Sequence, residues 1–145
     1  MYLISNVSDT YAGCENEQQF KKLYSVIGLK KLWKDAHIFN IETEETVAGF
    51  PDVMVVGKMN DMLNYAHFYE FKISDLSGSI KFQPTQPAFY KHNSDMFIDV
   101  VAYNRFSKRV HVFSTNEIFD KNSPYYTTNG RVGLTGAEKE IGVCL

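Results

Sequence analysis

A helical pattern of apolar side chains opens the N-terminal part of the chain. Over residues 15–27 the apolar positions recur at spacings of i, i+3, i+4 and i+7, which is one face of a helix: Phe20, Leu23, Tyr24 and Ile27. Gly28 interrupts this pattern. The apolar positions after it follow a shifted phase: Leu29, Leu32, Trp33 and Ala36. We therefore predict two helical pieces with a break near Gly28.

Strand patterns follow. A short strand is predicted over residues 37–42, and the polar stretch 43–48 reads as a loop. The runs VMVV at 53–56 and YAHFYEFKI at 65–73 are rich in β-branched and aromatic residues and have strand length. We expect these two runs to pair as an antiparallel hairpin, with a long connection over residues 57–64.

The second half of the chain predicts one short helix and two more strands. Pro84 and Pro87 favour a helix start, because proline is tolerated in the first turn, and the helix is expected to reach about Asn93. Strands are predicted over residues 97–103 and 110–114, and a loosely ordered tail with some local structure after Asp120. This order of elements indicates an α/β fold with a mixed sheet flanked by helices.

Composition narrows the class of protein. With 145 residues, 44% of them hydrophobic and 22% charged, the chain is typical of a single globular domain, whose core we expect over about 15–119. No apolar run is long enough to span a bilayer, and residues 1–13 do not resemble a signal peptide. Cys14 and Cys144 have no metal-ligand or disulfide-framework spacing, which favours a reducing, cytoplasmic compartment. The net charge of −2 excludes a uniformly basic nucleic-acid coat.

Two acids and a lysine fall on the predicted hairpin. Asp52 precedes the first strand, and Glu70 and Lys72 lie in the second strand, where alternation directs both side chains to the same face. If the strands pair, Asp52 lies across from Glu70 at the open end of the sheet. Two carboxylates there suit Mg²⁺, and a neighbouring lysine suits phosphodiester hydrolysis, because it can orient the attacking water and offset developing negative charge.

The residues GFPD at 49–52, EFK at 70–72 and a later glutamine resemble the signature of the PD-(D/E)XK nuclease superfamily, in particular its VRR-NUC and Holliday-junction-resolvase-like branch, which is found in phages and bacteria. The resemblance implies a restriction-endonuclease-like core. It also implies metal ligation by Asp52, Glu70 and the Phe71 carbonyl, a catalytic Lys72 and a supporting Gln86. Its further implications are Mg²⁺ as cofactor with Mn²⁺ able to substitute, DNA as substrate (branched or junction DNA included), and a homodimer.

Two positions of this signature have competing candidates. Family members often carry a further metal-binding acid on the first helix. At 100° per residue, Glu17 lies roughly 70° from the centre of the apolar face and Glu15 roughly 130° away, so Glu17 is favoured. Gln83 and Gln86 compete for the glutamine; Gln86 is preferred because it follows Pro84 and Thr85 and precedes the helical Phe89 and Tyr90.

Lysines supply candidate contacts to nucleic acid. Residues 21–34 contain five lysines and no acid, and a stretch of this kind can follow a phosphate backbone or simply form a solvated helix face. The nucleic-acid-binding candidates are Lys30, Lys31, Lys34 and Lys91. Two alternatives remain beside the DNA endonuclease: a nuclease that cleaves RNA by the same chemistry, and a non-catalytic module that binds nucleic acid or another protein.

Overall fold

The structure is a computed structural model that describes residues 2–41, 48–58 and 65–143, with backbone alone at Lys34, Lys58 and Tyr65. Its strands are β1 (Tyr2–Ile4), β2 (Lys34–Asn40), β3 (Val53–Lys58), β4 (Tyr65–Ile73), β5 (Ser79–Lys81), β6 (Ile98–Asn104), β7 (Arg109–Ser114) and β8 (Arg131–Gly133). Its α-helices are α1 (Glu17–Tyr24), α2 (Lys30–Leu32), α3 (Thr85–His92) and α4 (Leu134–Ile141), with a π-helical turn over Ser25–Leu29 and a 3₁₀ helix over Thr115–Phe119.

Six strands form a mixed sheet in the order β1-β7-β6-β4-β3-β2, and β5 and β8 form a separate antiparallel pair. Within the larger sheet β4 and β6 run parallel, and the other neighbours are antiparallel. The predicted α/β fold with a mixed sheet is confirmed. So is the β3–β4 hairpin, in which Val53 pairs with Tyr69. The connection predicted over residues 57–64 lies outside the described residues from 59 onward, as does most of the loop predicted at 43–48.

Both faces of the sheet carry a buried core because the side chains of β4 alternate between them. Tyr69 and Phe71 face the layer that contains α1, where they pack with Phe20, Leu29 and Trp33. The opposite face packs against α3, the 3₁₀ helix, β8 and α4. Its core includes Ile80, Phe82, Tyr90, Val100, Phe113, Ile118, Tyr125 and Leu134. A strand covered on both sides leaves little access to water for any charged side chain it carries.

The predicted break near Gly28 is a π-helical turn that joins α1 to α2 without interrupting the helical path. The extra residue of a π-turn rotates the helix phase, so Leu29 and Trp33 still reach the core. Two parts of the prediction are wrong. Leu32 is 45% exposed, and Ala36 lies in β2 because the helix ends at Leu32. A Cβ at position 28 would lie 2.5 Å from the Tyr24 ring, so any larger residue there would require that ring to move.

The predicted loosely ordered tail after Asp120 is also wrong. Val132 in β8 is buried, and β8 pairs with β5, a strand that the sequence pattern missed. Helix α4 is anchored by Glu138, whose carboxylate is fully buried against β6 and β7. Its hydrogen-bond partners are Asn104, Ser107, Arg109 and His111, at 2.6–3.0 Å. A buried acid with several charged and polar partners is a long-range contact that local periodicity does not reveal.

Candidate active site

Asp52 and Glu70 meet at the end of the β3–β4 hairpin. The pairing of Val53 with Tyr69 continues by one residue to bring Asp52 opposite Glu70, as predicted. Oδ2 of Asp52 accepts a hydrogen bond from the backbone N–H of Phe71 at 3.0 Å. Because β3 begins at Val53, no described strand pairs with β4 on that side beyond Tyr69. This leaves a notch in the sheet, and the acids stand at its edge.

Glu70 is a buried carboxyl group. It is only 3% exposed, and its Oε1 atom has no hydrogen-bond partner among the described residues. Burial raises the pKa of Glu70 far above its ordinary value. The charge of Asp52 and a side-chain hydrogen bond with it raise the pKa further, while the charge of Lys72 opposes the shift. An orphaned buried oxygen beside a second acid is an arrangement that a bound cation would satisfy.

The ammonium group of Lys72 is approached from α3, from α1 and from Phe82, which follows β5. The side chain is 5% exposed, and Nζ donates a hydrogen bond to Oε1 of Gln86 on α3 at 2.8 Å. Nζ also lies 3.9 Å from Oε1 of Glu17 on α1 and 5.1 Å from the centre of the Phe82 ring. A charge held between an amide oxygen, a carboxylate and an aromatic face is fixed in position as well as compensated.

Glu17 is the acid of the first helix that reaches this site. Its side chain is half exposed, and partial burial raises its pKa; the charge of Lys72 lowers that pKa and the charge of Asp52 raises it. Glu15 is exposed before the helix begins, where its backbone N–H donates to the Gln19 side chain. Helix α1 starts there because the Asn16 side chain caps it, accepting the Gln19 N–H at 2.9 Å.

Gln86, rather than Gln83, provides the side-chain contact to the lysine. Gln83 is exposed just before α3, and its backbone N–H donates to the same Gln86 oxygen at 2.8 Å. That oxygen therefore accepts two hydrogen bonds, one from the chain entering the helix and one from Lys72. The two donors fix the rotamer of Gln86 and with it the position of the ammonium group.

Sequence reasoning missed Tyr90 as a site residue. Tyr90 is only 1% exposed, and its buried hydroxyl group has no hydrogen-bond partner among the described residues. Burial raises the pKa of Tyr90, and the negative charges of Glu70, Asp52 and Glu17 raise it further, so the hydroxyl stays protonated beside the acids. Tyr90 lies four residues after Gln86 on α3, and this helical spacing is the signal that could have indicated it.

The structure describes the side chains of three of the four lysines proposed as nucleic-acid contacts. Lys30 and Lys31 are exposed on α2, about 20 Å along the helical path from Glu17 at 1.5 Å per residue. Lys91 is exposed on α3 immediately after Tyr90. The side chain of Lys34 lies outside the described part of the structure.

Neither a group of three potential metal-ligating side chains nor a membrane-spanning helix occurs in the described part of the chain. In residues 2–41, 48–58 and 65–143, no three His, Cys, Asp or Glu side chains are grouped closely enough to hold a metal ion, so Asp52 and Glu70 form a pair and not a triad. No helix in the same ranges is long and apolar enough to cross a bilayer. Comparison of the chain with protein families, curated proteins and solved structures gives no match.

Proposed function

We propose that this protein is a metal-dependent endonuclease that hydrolyses phosphodiester bonds in DNA, built on a restriction-endonuclease-like core. One observation carries the proposal: a buried lysine ammonium, held by Gln86 and Glu17, on the same face of the same strand as the buried carboxyl group of Glu70. Charges are rarely buried on a strand covered on both faces unless they are paired or bind an ion. The same proposal includes that the protein acts as a homodimer in the cytoplasm of a bacterial or phage-infected cell.

The acids fit a hard divalent cation such as Mg²⁺, with Mn²⁺ able to replace it. Asp52 and Glu70 supply carboxylate oxygens from neighbouring strands, and Glu70 Oε1 has no competing hydrogen bond among the described residues. The Phe71 carbonyl and Glu17 are the further candidate ligands. When bound, the cation would supply Lewis-acid stabilisation of negative charge on the scissile phosphate.

Side chains of the protein account for the other requirements of the reaction. Asp52 is oriented by the Phe71 N–H and also shares a side-chain hydrogen bond with Glu70, so a bound cation would replace the proton between the two acids. Lys72 holds a positive charge at a fixed point beside the acids, where it can orient the attacking water and stabilise charge that develops on phosphate. Gln86 is a positioning residue, because it acts on the reaction through Lys72.

A plasmid-nicking assay with Mg²⁺ and with Mn²⁺ tests the proposal. We expect wild-type protein to nick the plasmid, and Lys72→Ala and Asp52→Asn to lose at least 100-fold in rate. The matched controls are Lys139→Ala and Asp95→Asn, which change exposed residues of the same types. Equal nicking by all five proteins would mean a contaminating nuclease, and absence of metal-dependent nicking of DNA would overturn the proposal. Cleavage of RNA alone would correct the substrate.

A further inference from the structure

A groove runs along α3 on the side of the 3₁₀ helix. It consists of two cavities, of about 680 Å³ and 470 Å³, which share Phe119 and Thr127 in their walls. We call this feature the aromatic groove. Lys91 lines its larger part and Lys81 its smaller part, and both lysines are exposed.

The aromatic groove adjoins the candidate active site, and the buried residue Tyr90 lies between them. Tyr90 lines the larger cavity, and its buried hydroxyl group, near the acids, has no hydrogen-bond partner among the described residues. Gln86, which holds Lys72, is one turn earlier on the same helix. A polymer whose backbone lies at the acids would therefore have its neighbouring units beside the groove.

The lining of the groove matches the chemistry of a nucleotide. Phe119 is 39% exposed, so part of its ring is open to a ligand, and Tyr126 lines the same cavity. Aromatic faces of this kind stack on bases, and lysine at the rim pairs with phosphate. Asn116 and Asp120 add hydrogen-bonding groups. The Asp120 carboxylate would repel phosphate but can accept a hydrogen bond from an exocyclic base amine, so it favours a base at that point.

We propose that the aromatic groove binds unpaired nucleotides of the substrate, with a base stacked on Phe119 and a phosphate near Lys91. This inference rests on the proposed nuclease function and specifies its substrate class: nucleic acid with a single-stranded segment next to the cleaved bond. A base inside a duplex is stacked on both faces and cannot offer either of them to Phe119. Single strands, flaps and frayed ends have unstacked bases that can stack on Phe119.

Binding measured apart from cleavage tests the inference. Fluorescence anisotropy in EDTA would follow labelled, unstructured single strands of about 12 nucleotides, as DNA and as RNA, beside a blunt duplex of the same sequence. We expect the wild-type chain to prefer single strands. Phe119→Leu, which keeps apolar volume but removes the ring, should weaken single-strand binding about fivefold or more, and Phe119→Tyr should restore it. Phe106→Leu is the matched control, since Phe106 is 62% exposed on the β6–β7 turn.

The outcomes separate this inference from the nuclease proposal. Wild-type affinity in Phe119→Leu, or equal wild-type affinity for duplex and single strand, overturns the groove assignment even if metal-dependent nicking is observed. Loss of nicking in Lys72→Ala with retained single-strand binding supports both. If Phe119→Leu is less stable in thermal unfolding, Lys91→Gln replaces it, and unchanged single-strand affinity in that variant overturns the phosphate contact. The DNA and RNA arms identify which polymer the groove prefers.

Discussion

The ammonium group of Lys72 lies 2.8 Å from Oε1 of Gln86, and the backbone N–H of Gln83 donates to the same oxygen at the same distance. A single amide oxygen thus joins β4, the strand that carries Glu70 and Lys72, to the start of α3. Because both donors depend on it, this oxygen affects the position of a buried charge and the packing of a helix together.

Removal of that oxygen is expected to lower both activity and stability. Gln86→Leu keeps the volume but leaves the Lys72 ammonium and the Gln83 N–H without an acceptor, at a cost of about 1–3 kcal/mol in the free energy of unfolding. We expect nicking to slow about 10- to 100-fold. Gln83→Leu is the control, because it keeps the backbone donor. Equal activity of the two variants in the nicking assay would show that Gln86 does not position Lys72.

Divalent cations are expected to stabilise the protein through the acid pair. At a free concentration ten times its Kd, Mg²⁺ or Mn²⁺ would add about 1.4 kcal/mol, or roughly 3–6 °C in Tm for a chain of this size. Asp52→Asn keeps an acceptor for the Phe71 N–H but removes a charge. It should melt at or above the wild-type Tm in EDTA and show no rise with either ion. Differential scanning fluorimetry measures both effects. An equal rise in wild type and variant would place the cation elsewhere.

Metal-free protein is expected to lose stability as the pH rises. The pKa of Glu70 is raised above its ordinary value of 4.5, chiefly by burial. The folded state therefore retains a proton that the unfolded chain releases, so Glu70 costs nothing below about pH 4.5 and destabilises the fold increasingly above it. Glu70→Gln should flatten this slope and raise stability at pH 8, while abolishing nicking. Urea unfolding in EDTA between pH 5 and pH 8 tests this; parallel slopes in both proteins would contradict it.

The C-terminal helix is expected to depend on Glu138. This carboxylate is fully buried, and Glu138→Ala would leave Arg109 and His111 without their shared partner, at a cost of about 3–5 kcal/mol in unfolding free energy. Glu140→Ala changes an exposed acid on the same helix and should cost less than about 0.5 kcal/mol. Chemical denaturation measures both. Similar losses in the two variants would mean that the buried network contributes little.

The same network predicts acid sensitivity. Burial lowers the pKa of His111, and hydrogen bonds from its partners lower the pKa of Glu138 despite its burial. A lowered pKa means that stability is present above the unfolded-state value and is lost as the pH falls. Instability should therefore begin below about pH 6.5 and increase below about pH 4.5. Thermal unfolding from pH 7 to pH 3 tests this in His111→Gln, which should lose the upper part of the slope.

The parts of the fold that the sequence predicted are those with a local signal. The run from Tyr65 to Ile73 has strand length and alternation, and its pairing with Val53–Lys58 is sufficient to put Asp52 opposite Glu70. Helical rotation alone distinguished Glu17 from Glu15. Proline placement located α3 and with it Gln86.

The parts that were missed depend on distant contacts. Strands β5 and β8 have three residues each, which is too short for alternation to be visible. Helix α4 directs Glu138 inward, where an apolar residue would be expected, because partners on β6 and β7 satisfy it. The spacing of four residues from Gln86 puts Tyr90 on the same helical face, but only the lack of a hydrogen-bond partner among the described residues distinguishes its hydroxyl group from that of an ordinary core tyrosine.

Because β3 begins only at Val53, part of β4 has no described neighbour on that side, and this affects how the two layers of the molecule are coupled. Through the gap left beside β4, Glu17 from one layer and Gln86 from the other approach a single nitrogen atom, Lys72 Nζ. A shift of either helix alone would change the electric field at that atom. The two hydrophobic layers are thus mechanically linked through one ammonium group, although a sheet stands between them.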